Sequence, residues 1–424
     1  MKRTIFIAIN IMAILLSACS DETPIDSGSR YSDENIPSKK MESLLNLTPA
    51  EKETVKIHNR FAVEYTQHLL EKNSDENVLV SPLSAICNIS MMANASNGSL
   101  RSQIVDAVDC QDLGALNALN KRLIEGLDRV DMKNIKFTLA NSVWLNSVAD
   151  VNMTSDLANI LEKSYLAKVS ALPFDGSVAN IINKWTSENT NGLIRNFYGS
   201  GDIYSDDVCL FVNALYFKGN FTFSFSETTI KNAAFHNIEG EKIGECKLMK
   251  RGAFYGIAST DKVSCLSIPI GKGGYGHSAY EMIIALPEKG VSLSEALGLA
   301  VDLSMAEHLV TLYMPKFKIE YETSLNETLK SMGVDVSLTD LENITSYGDP
   351  VKMSSLRVKQ KTVLDVNENG VEGASATSFI GGGHGDHTPP SFIADRPFVY
   401  LIRECESKAV LFAGSYVKPE SMYQ

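Results

Sequence analysis

An α+β fold is what this 424-residue sequence predicts, on three observations. Helical periodicity is concentrated in the first half of the chain, and runs of strand length and composition fill the second half. The two kinds do not alternate as βα units, which argues against a doubly wound parallel sheet. Nothing after residue 47 reads as a linker, and 44% of the chain is hydrophobic, so one large domain or two interlocked lobes is expected.

The N-terminus comes first. Met1-Lys2-Arg3-Thr4 is a basic start, and Ile5 to Leu16 is an almost unbroken apolar run. Such a run falls short of the roughly 20 residues that a membrane-spanning helix needs, and it has the layout of a secretory signal. Leu16-Ser17-Ala18-Cys19 resembles the end of a bacterial lipoprotein signal. The resemblance implies cleavage before Cys19 and acylation of its thiol, with residues 1–18 removed. Ser20-Asp21-Glu22 is similar to the acidic tag that directs some lipoproteins through the outer membrane to the extracellular face. Residues 19–47 are rich in Ser, Asp, Glu, Pro and Lys, without apolar period, and read as a flexible tether ahead of a domain spanning 48–424.

Within that domain, Thr48-Pro49 opens a helix to Leu70, whose apolar face carries Val55, Phe61, Ala62, Tyr65 and Leu69. Leu83 to Ala95 is apolar almost all round and is expected to be a buried helix. Thr138–Leu145 reads as a strand, and Val178–Thr190 as a helix carrying Ile181, Ile182 and Trp185. Strands are then expected at Val208–Phe217, Phe221–Phe225, Val263–Ile270, Tyr280–Leu286, Val310–Glu320, Lys359–Val366, Phe398–Arg403 and Ala409–Tyr416. Short helices at Ser292–Leu299 and Leu325–Met332 punctuate them.

Few motifs point to catalysis or cofactors. Gly271-Lys272-Gly273-Gly274-Tyr275-Gly276 has dinucleotide-loop spacing but leads into a strand rather than a helix, so a hairpin connection is expected and no nucleotide. His384-Gly385-Asp386-His387 could catch a metal ion, yet its glycines leave the ligands poorly fixed; no metal or other cofactor is expected. No nucleophile elbow or zinc-helix motif is present, and the chain is read as not an enzyme. The net charge of −12 would repel a phosphate backbone, which disfavours nucleic acid as a partner. Six cysteines follow Cys19, scattered and without a C-x-x-C; Cys87, Cys209 and Cys265 lie in apolar runs as small hydrophobes.

The unusual stretch runs from Glu368 to Ser378. From Val371 onward only Glu372 is larger than valine. In an extended chain Val371, Gly373, Ser375 and Thr377 share one face, small and uncharged, while Glu372, Ala374, Ala376 and Ser378 share the other. The first face could slide between two packed strands, and Glu372 could stay in water. The glycine-rich tip at Gly381–Gly385 has nothing to anchor it.

Six ordered motifs resemble the serpin family, and the resemblance covers nearly everything from Thr48 onward. They are Asn77-Val78-Leu79-Val80-Ser81-Pro82-Leu83-Ser84, Phe211-Val212-Asn213-Ala214-Leu215-Tyr216-Phe217-Lys218-Gly219, and Met314-Pro315-Lys316-Phe317. The others are Val366-Asn367-Glu368-Asn369-Gly370, Asp395-Arg396-Pro397-Phe398 and Leu411-Phe412-Ala413-Gly414. The resemblance implies three β-sheets with about nine helices, held metastable, and an exposed reactive-centre loop offered to a serine or cysteine peptidase. After attack on the scissile bond, the cut loop would enter the large sheet as a new strand and disable the acylated enzyme.

Carried over residue by residue, Glu368, Gly370, Val371, Gly373, Ala374, Ser375, Ala376 and Thr377 match the hinge that enters first. Lys316 and Glu368 match an ion pair at the top of the sheet; Ser81, Ser84 and Asn213 match polar groups beneath the opening strands. Counting from Glu368 puts the scissile bond at His384-Gly385, and counting back from Pro397 puts it at Asp386, an interval of Gly383 to Asp386. The chain departs from the pattern in four ways: Val371 replaces a hinge Thr or Ser, Gln360 stands where many members have histidine near Asn213, Phe221 replaces a tryptophan, and Gly381, Gly382 and Gly383 would each weaken an inserted strand by roughly 0.5–1 kcal/mol relative to alanine.

No Lys or Arg lies between Glu368 and Arg396, which favours an elastase-like, subtilisin-like or papain-like target over a trypsin-like one. The rival readings are a non-inhibitory member serving as a surface binding module, and a surface hydrolase whose catalytic constellation is not visible. A monomer, tied to the membrane through Cys19, is the expected working form.

Overall fold

The computed structural model describes residues 45–419 apart from 111, 129–134, 226–229, 273–277, 336–339, 353–358 and 372–388. In chain order its elements begin with α1 (Pro49–Lys72), β1 (Val78–Val80), α2 (Pro82–Ala95), α3 (Ser99–Ala107), α4 (Leu113–Asp128), β2 (Ile135–Asn146), β3 (Val151–Met153) and α5 (Ser155–Tyr165). There follow β4 (Lys168–Leu172), α6 (Val178–Asn189), β5 (Cys209–Asn220), β6 (Ile230–His236), β7 (Lys242–Ser259), β8 (Val263–Ile270), β9 (Tyr280–Pro287) and α7 (Leu293–Asp302). The chain continues with β10 (Ala306–Pro315), β11 (Phe317–Ser324), α8 (Leu325–Ser331), β12 (Asp340–Ser346), β13 (Asp349–Lys352) and β14 (Lys359–Asn367). It closes with β15 (Gly370–Val371), β16 (Ser391–Ile393), β17 (Phe398–Glu404) and β18 (Val410–Tyr416).

The fold is α+β, with three sheets and eight helices among the described residues. A nine-stranded sheet runs β1-β18-β17-β9-β8-β7-β10-β16, with β6 beside β7. A six-stranded sheet runs β11-β14-β15-β5-β2-β4, and a small third sheet runs β13-β12-β3. β8 and β9 pair antiparallel, the hairpin expected around the glycine-rich connection.

Helix α1 starts where its chemistry demands. Thr48 accepts from Glu51 N, Glu51 reaches back to Thr48 N at 2.7 Å, and Pro49 occupies the first turn. Leu45 and Leu47, at the end of the stretch read as tether, are already buried against the core, and Arg122 donates to the Leu45 carbonyl. Every residue of α2 is buried, as its all-round apolar pattern predicts; Ser81 caps it and Pro82 opens it. The outer face of the six-stranded sheet carries a second core, in which Trp144, Leu210, Val212 and Val363 pack against Val178, Ile182 and Phe197. Ile181 of α6 points to solvent instead, at 41% exposure.

Two expected strands differ. Phe221–Phe225 is bent rather than extended: Phe221 makes only an isolated bridge to Ile270, although Phe221, Phe223 and Phe225 are all buried. Its alternation reports burial, while its backbone donors bind a neighbouring turn described below. Val310–Glu320 is two strands in two different sheets, because Pro315 ends β10 and the chain crosses over at Lys316.

Two buried charged or titratable groups set stability. Arg403 and Glu281 form an ion pair at 2.8 Å with side chains only 7% and 6% exposed, joined by Lys408 at 3.2 Å and by the Ser267 hydroxyl. His58 is fully buried on α1; its Nε2 has no hydrogen-bond partner, and burial lowers its pKa to about 4. The unfolded chain therefore takes up the proton first. The contribution of this group to stability is constant above about pH 6.5 and is lost as pH falls toward 4, by about 3 kcal/mol. Urea melts of His58→Leu against the parent should show that much less acid loss between those limits.

All six cysteines after Cys19 are free. Five are buried, and burial raises the thiol pKa of Cys209, Cys246 and Cys265 to about 12, and that of Cys87 and Cys405 well above the ordinary value.

Candidate functional site

The residues matched to the hinge and sheet opening converge on the six-stranded sheet, at the place between β5 and β14. β15 pairs antiparallel with both, Val366↔Val371 and Asn367↔Gly370 on one side, Gly370↔Asn220 and Val371↔Gly219 on the other. β5 and β14 therefore run parallel, one strand's width apart from β15 on either side. Among the described residues they exchange no ladder hydrogen bond directly, and β15 is the only strand between them. Two facing strand edges that, among the described residues, are parted only by β15 form a slot for a third strand.

Glycine is required at the mouth of this slot. Gly370 has φ +149°, and a Cβ there would strike the Gly219 carbonyl oxygen and approach Asn220 Cα to 2.6 Å. Opposite Val371, Gly219 leaves room for Ile270. The preceding turn is held by backbone groups of the bent phenylalanine segment: Phe225 N donates to Glu368 O at 2.8 Å and Phe221 N to Asn369 O at 2.9 Å. That use of its donors is why the segment is not a strand. Lys316, at the crossing between sheets, reaches Glu368 at 2.8 Å, both side chains 23% exposed. The expected ion pair is thus present.

Beneath the slot lie two polar networks rooted in the first turn of α2. On the β14 side Gln360 accepts from Ser81 N at 3.1 Å and from the Tyr65 hydroxyl at 3.3 Å, and donates to Ser81 O at 2.7 Å. Burial pushes the Tyr65 phenol up, so it remains a neutral donor. On the β5 side the Ser84 hydroxyl donates to Asn213 at 2.5 Å, Asn213 donates to Asn141 at 2.5 Å, and Asn141 to the Tyr165 carbonyl at 2.8 Å. Gln360 and Asn213 bind separate partners on the two flanks of the slot, rather than each other.

On the outer face, Lys359, Lys361 and Val363 alternate along β14 and all touch the connection that leads from α6 to β5. Lys359 binds Asp202 at 2.8 Å and Glu322 at 3.0 Å and lies over the Phe197 and Tyr198 rings; Lys361 donates to Asn196 O at 3.1 Å; Val363 joins the second core. A strap anchored to β5 therefore reaches across to β14.

Glu368, Gly370, Val371, Ser81, Ser84, Asn213, Lys316 and Gln360 are thus brought together around one slot. Gly373, Ala374, Ser375, Ala376 and Thr377, the interval Gly383, His384, Gly385 and Asp386, and Cys19 lie outside the described residues. Sequence reading missed Tyr65, Asn141 and Lys359. Only Asn141 left a signal: an amide in the middle of an apolar strand must find a buried partner.

Comparison with known proteins agrees with this geometry. The family model described as "Serpin (serine protease inhibitor)" matches residues 56–419. Mouse neuroserpin is 28% identical over 379 residues, covering 85% of this chain and 91% of that protein. Wheat Serpin-Z2A is 29% identical over 369 residues, covering 82% and 91%. The native-state crystal structure of the thermophilic serpin tengpin superposes with a TM-score of 0.77 at 23% identity, over 88% of this chain and 95% of that one. With a slot between two strands, a glycine hinge seated in its mouth and a family match across nearly the whole domain, this chain belongs to the serpin family.

Proposed function

We propose that this serpin inhibits a serine or cysteine peptidase by acting as its substrate. The observation that supports this reading most directly is the seating of Gly370 and Val371 as a strand between β14 and β5. The peptidase nucleophile attacks the carbonyl carbon of His384, within the interval Gly383 to Asp386. The bond to Gly385 N breaks, that amine leaves with a proton from the enzyme's general acid, and an ester or thioester joins His384 to the enzyme. The freed segment then extends β15 down the slot. Val371 is 1% exposed and packs into the core, so Gly373, Ser375 and Thr377 follow it inward and Glu372 stays outside. Ladder bonds and buried area gained in this step carry the enzyme away before water can release it.

The absence of Lys and Arg from Glu368 to Arg396 supports elastase-like, subtilisin-like or papain-like targets over trypsin-like ones. The leader and Cys19 support export and a lipid anchor in the outer membrane, with the domain facing the extracellular space. The chain works as a monomer and needs no cofactor.

The test mixes the protein with elastase, subtilisin, papain and trypsin, followed by denaturing gels and N-terminal sequencing. A gel-stable complex cut between Gly383 and Asp386, absent with trypsin, is the expected result. Clean cleavage without complex and without a rise in melting temperature would instead mean a non-inhibitory serpin that binds a partner.

A further inference from the structure

Three Asn-Gly steps occur in the chain, Asn97-Gly98, Asn191-Gly192 and Asn369-Gly370. With no side chain to shield it, a glycine nitrogen can attack the carboxamide of the asparagine before it. Two of the three steps are held against this. The Asn97 carboxamide donates to Asn343 Oδ1 at 2.9 Å and accepts from Arg101 at 3.3 Å, while Gly98 N donates to the Ser96 hydroxyl at 3.2 Å. The Asn191 carboxamide donates to the Tyr216 hydroxyl at 3.3 Å, and Gly192 N to Ser187 O at 2.8 Å across the end of α6. Asn369 differs. It is half-buried, and its carboxamide makes no hydrogen bond among the described residues. Only its main chain is engaged, N donating to Asn367 Oδ1 at 3.1 Å and O accepting from Phe221 N at 2.9 Å. Gly370 N belongs to β15, at two residues the shortest strand of the six-stranded sheet, so little of the ladder must open to free it.

We propose that Asn369 is a site of spontaneous deamidation, which ages the hinge. Gly370 N gives its proton to hydroxide and attacks Asn369 Cγ. The Cγ–Nδ2 bond breaks, ammonia leaves with a proton taken from water, and a succinimide ring closes. Water then opens the ring at either carbonyl. Opening at Cγ restores the main chain and leaves aspartate; opening at the main-chain carbonyl leaves isoaspartate, whose chain reaches Gly370 through Cβ and Cγ. Overall one water enters, one ammonia departs, and nothing is oxidised or reduced. Aspartate puts a carboxylate next to Glu368, where it competes for Lys316. Isoaspartate adds a carbon to the main chain directly before Gly370, which is seated so closely that a Cβ would strike the Gly219 carbonyl oxygen. The modified hinge should therefore be cut without trapping. That consequence rests on the inhibitory reading, whereas the modification itself does not.

The test incubates the purified protein at neutral and at mildly alkaline pH and samples it over weeks. Peptide mapping by mass spectrometry, with isoaspartyl methyltransferase and labelled S-adenosylmethionine as the probe for isoaspartate, follows all three steps. Gel-stable complex with elastase, subtilisin and papain is measured on the same samples. Acid at position 369 should accumulate faster than at 97 or 191, and faster at the higher pH. The yield of complex should fall in proportion to the modified fraction. Asn369→Gln, which closes the larger ring far more slowly, should keep its yield throughout. Modification at 369 no faster than at 97 and 191 would overturn the site. Full yield from modified chains, or an equal loss of yield in Asn369→Gln, would overturn its effect on the hinge. If fresh parent forms no complex with any enzyme, the inhibitory reading fails, and the mapping still decides the modification.

Discussion

Gly370→Val should be cut by the peptidase at the parent rate and then let it go. The backbone at residue 370 has φ +149°, and any Cβ runs into the Gly219 carbonyl of β5, which is sheet backbone and cannot swing aside. Strain at such a position costs about 1–3 kcal/mol and overpacking a similar amount. Gly370 and Val371 are seated before cleavage, and a Cβ that unseats them makes insertion begin from an empty mouth, so the loss falls on the earliest step, when it competes with deacylation. A loss of about 3 kcal/mol corresponds to roughly a hundredfold in the ratio of trapping to turnover. Densitometry of gel-stable complex per mole of chain reads that ratio. Val371→Ala, which keeps a small residue on the inward face, should retain most of the yield. If Gly370→Val trapped as well as the parent, entry between β5 and β14 at this hinge would be wrong.

Arg403→Met should be the most damaging single change to stability among the charged residues, at about 3–5 kcal/mol. Burial alone would push the Glu281 carboxyl up, but Arg403 and Lys408 together hold it below the ordinary range, so it is ionised at neutral pH. Removing the guanidinium leaves a carboxylate 6% exposed with only the half-exposed Lys408 for charge, and also strips the donor to the Val301 carbonyl. Melting curves of Arg403→Met and of the double variant with Glu281→Gln separate these effects. The double variant should recover much of the loss; if it does not, the damage comes from packing and the Val301 contact.

Much of this architecture was legible in the residues, because burial dictates composition most strictly where an element is covered on every side. α2 and β5 are such elements, and their expected limits agree with the structure to within a few residues. β7 left no clean signal: its exposure changes irregularly along the strand, and Gly244, Gly252 and Gly256 interrupt any period. α3, α4 and α5 were not read either: α3 buries only Leu100 and Ile104, whereas α4 with Leu116, Leu119, Leu123 and Leu127, and α5 with Leu157, Leu161 and Tyr165, carry apolar faces at helical spacing that were there to be read. The phenylalanines 221, 223 and 225 mark the limit of pattern reading. Alternation tells which side chains are buried, not which carbonyls the backbone donors will find. At the slot, the hinge and the groups matched to it could be named from motif resemblance. The strap through Lys359 could not, because its partners Asp202 and Glu322 are surface-type residues far away in the chain.

The scattered free thiols give the chain an internal set of clocks. A thiol with pKa about 12 is ionised in only about one molecule in a hundred thousand at neutral pH. Alkylating reagents therefore see it chiefly when its surroundings open, and the labelling rate at each cysteine measures how often that happens. Cys209 sits at the foot of β5 beside the slot, Cys87 within α2, and Cys405 in the turn between β17 and β18. Parting of the six-stranded sheet would quicken the first without the others, whereas global unfolding would quicken all three together.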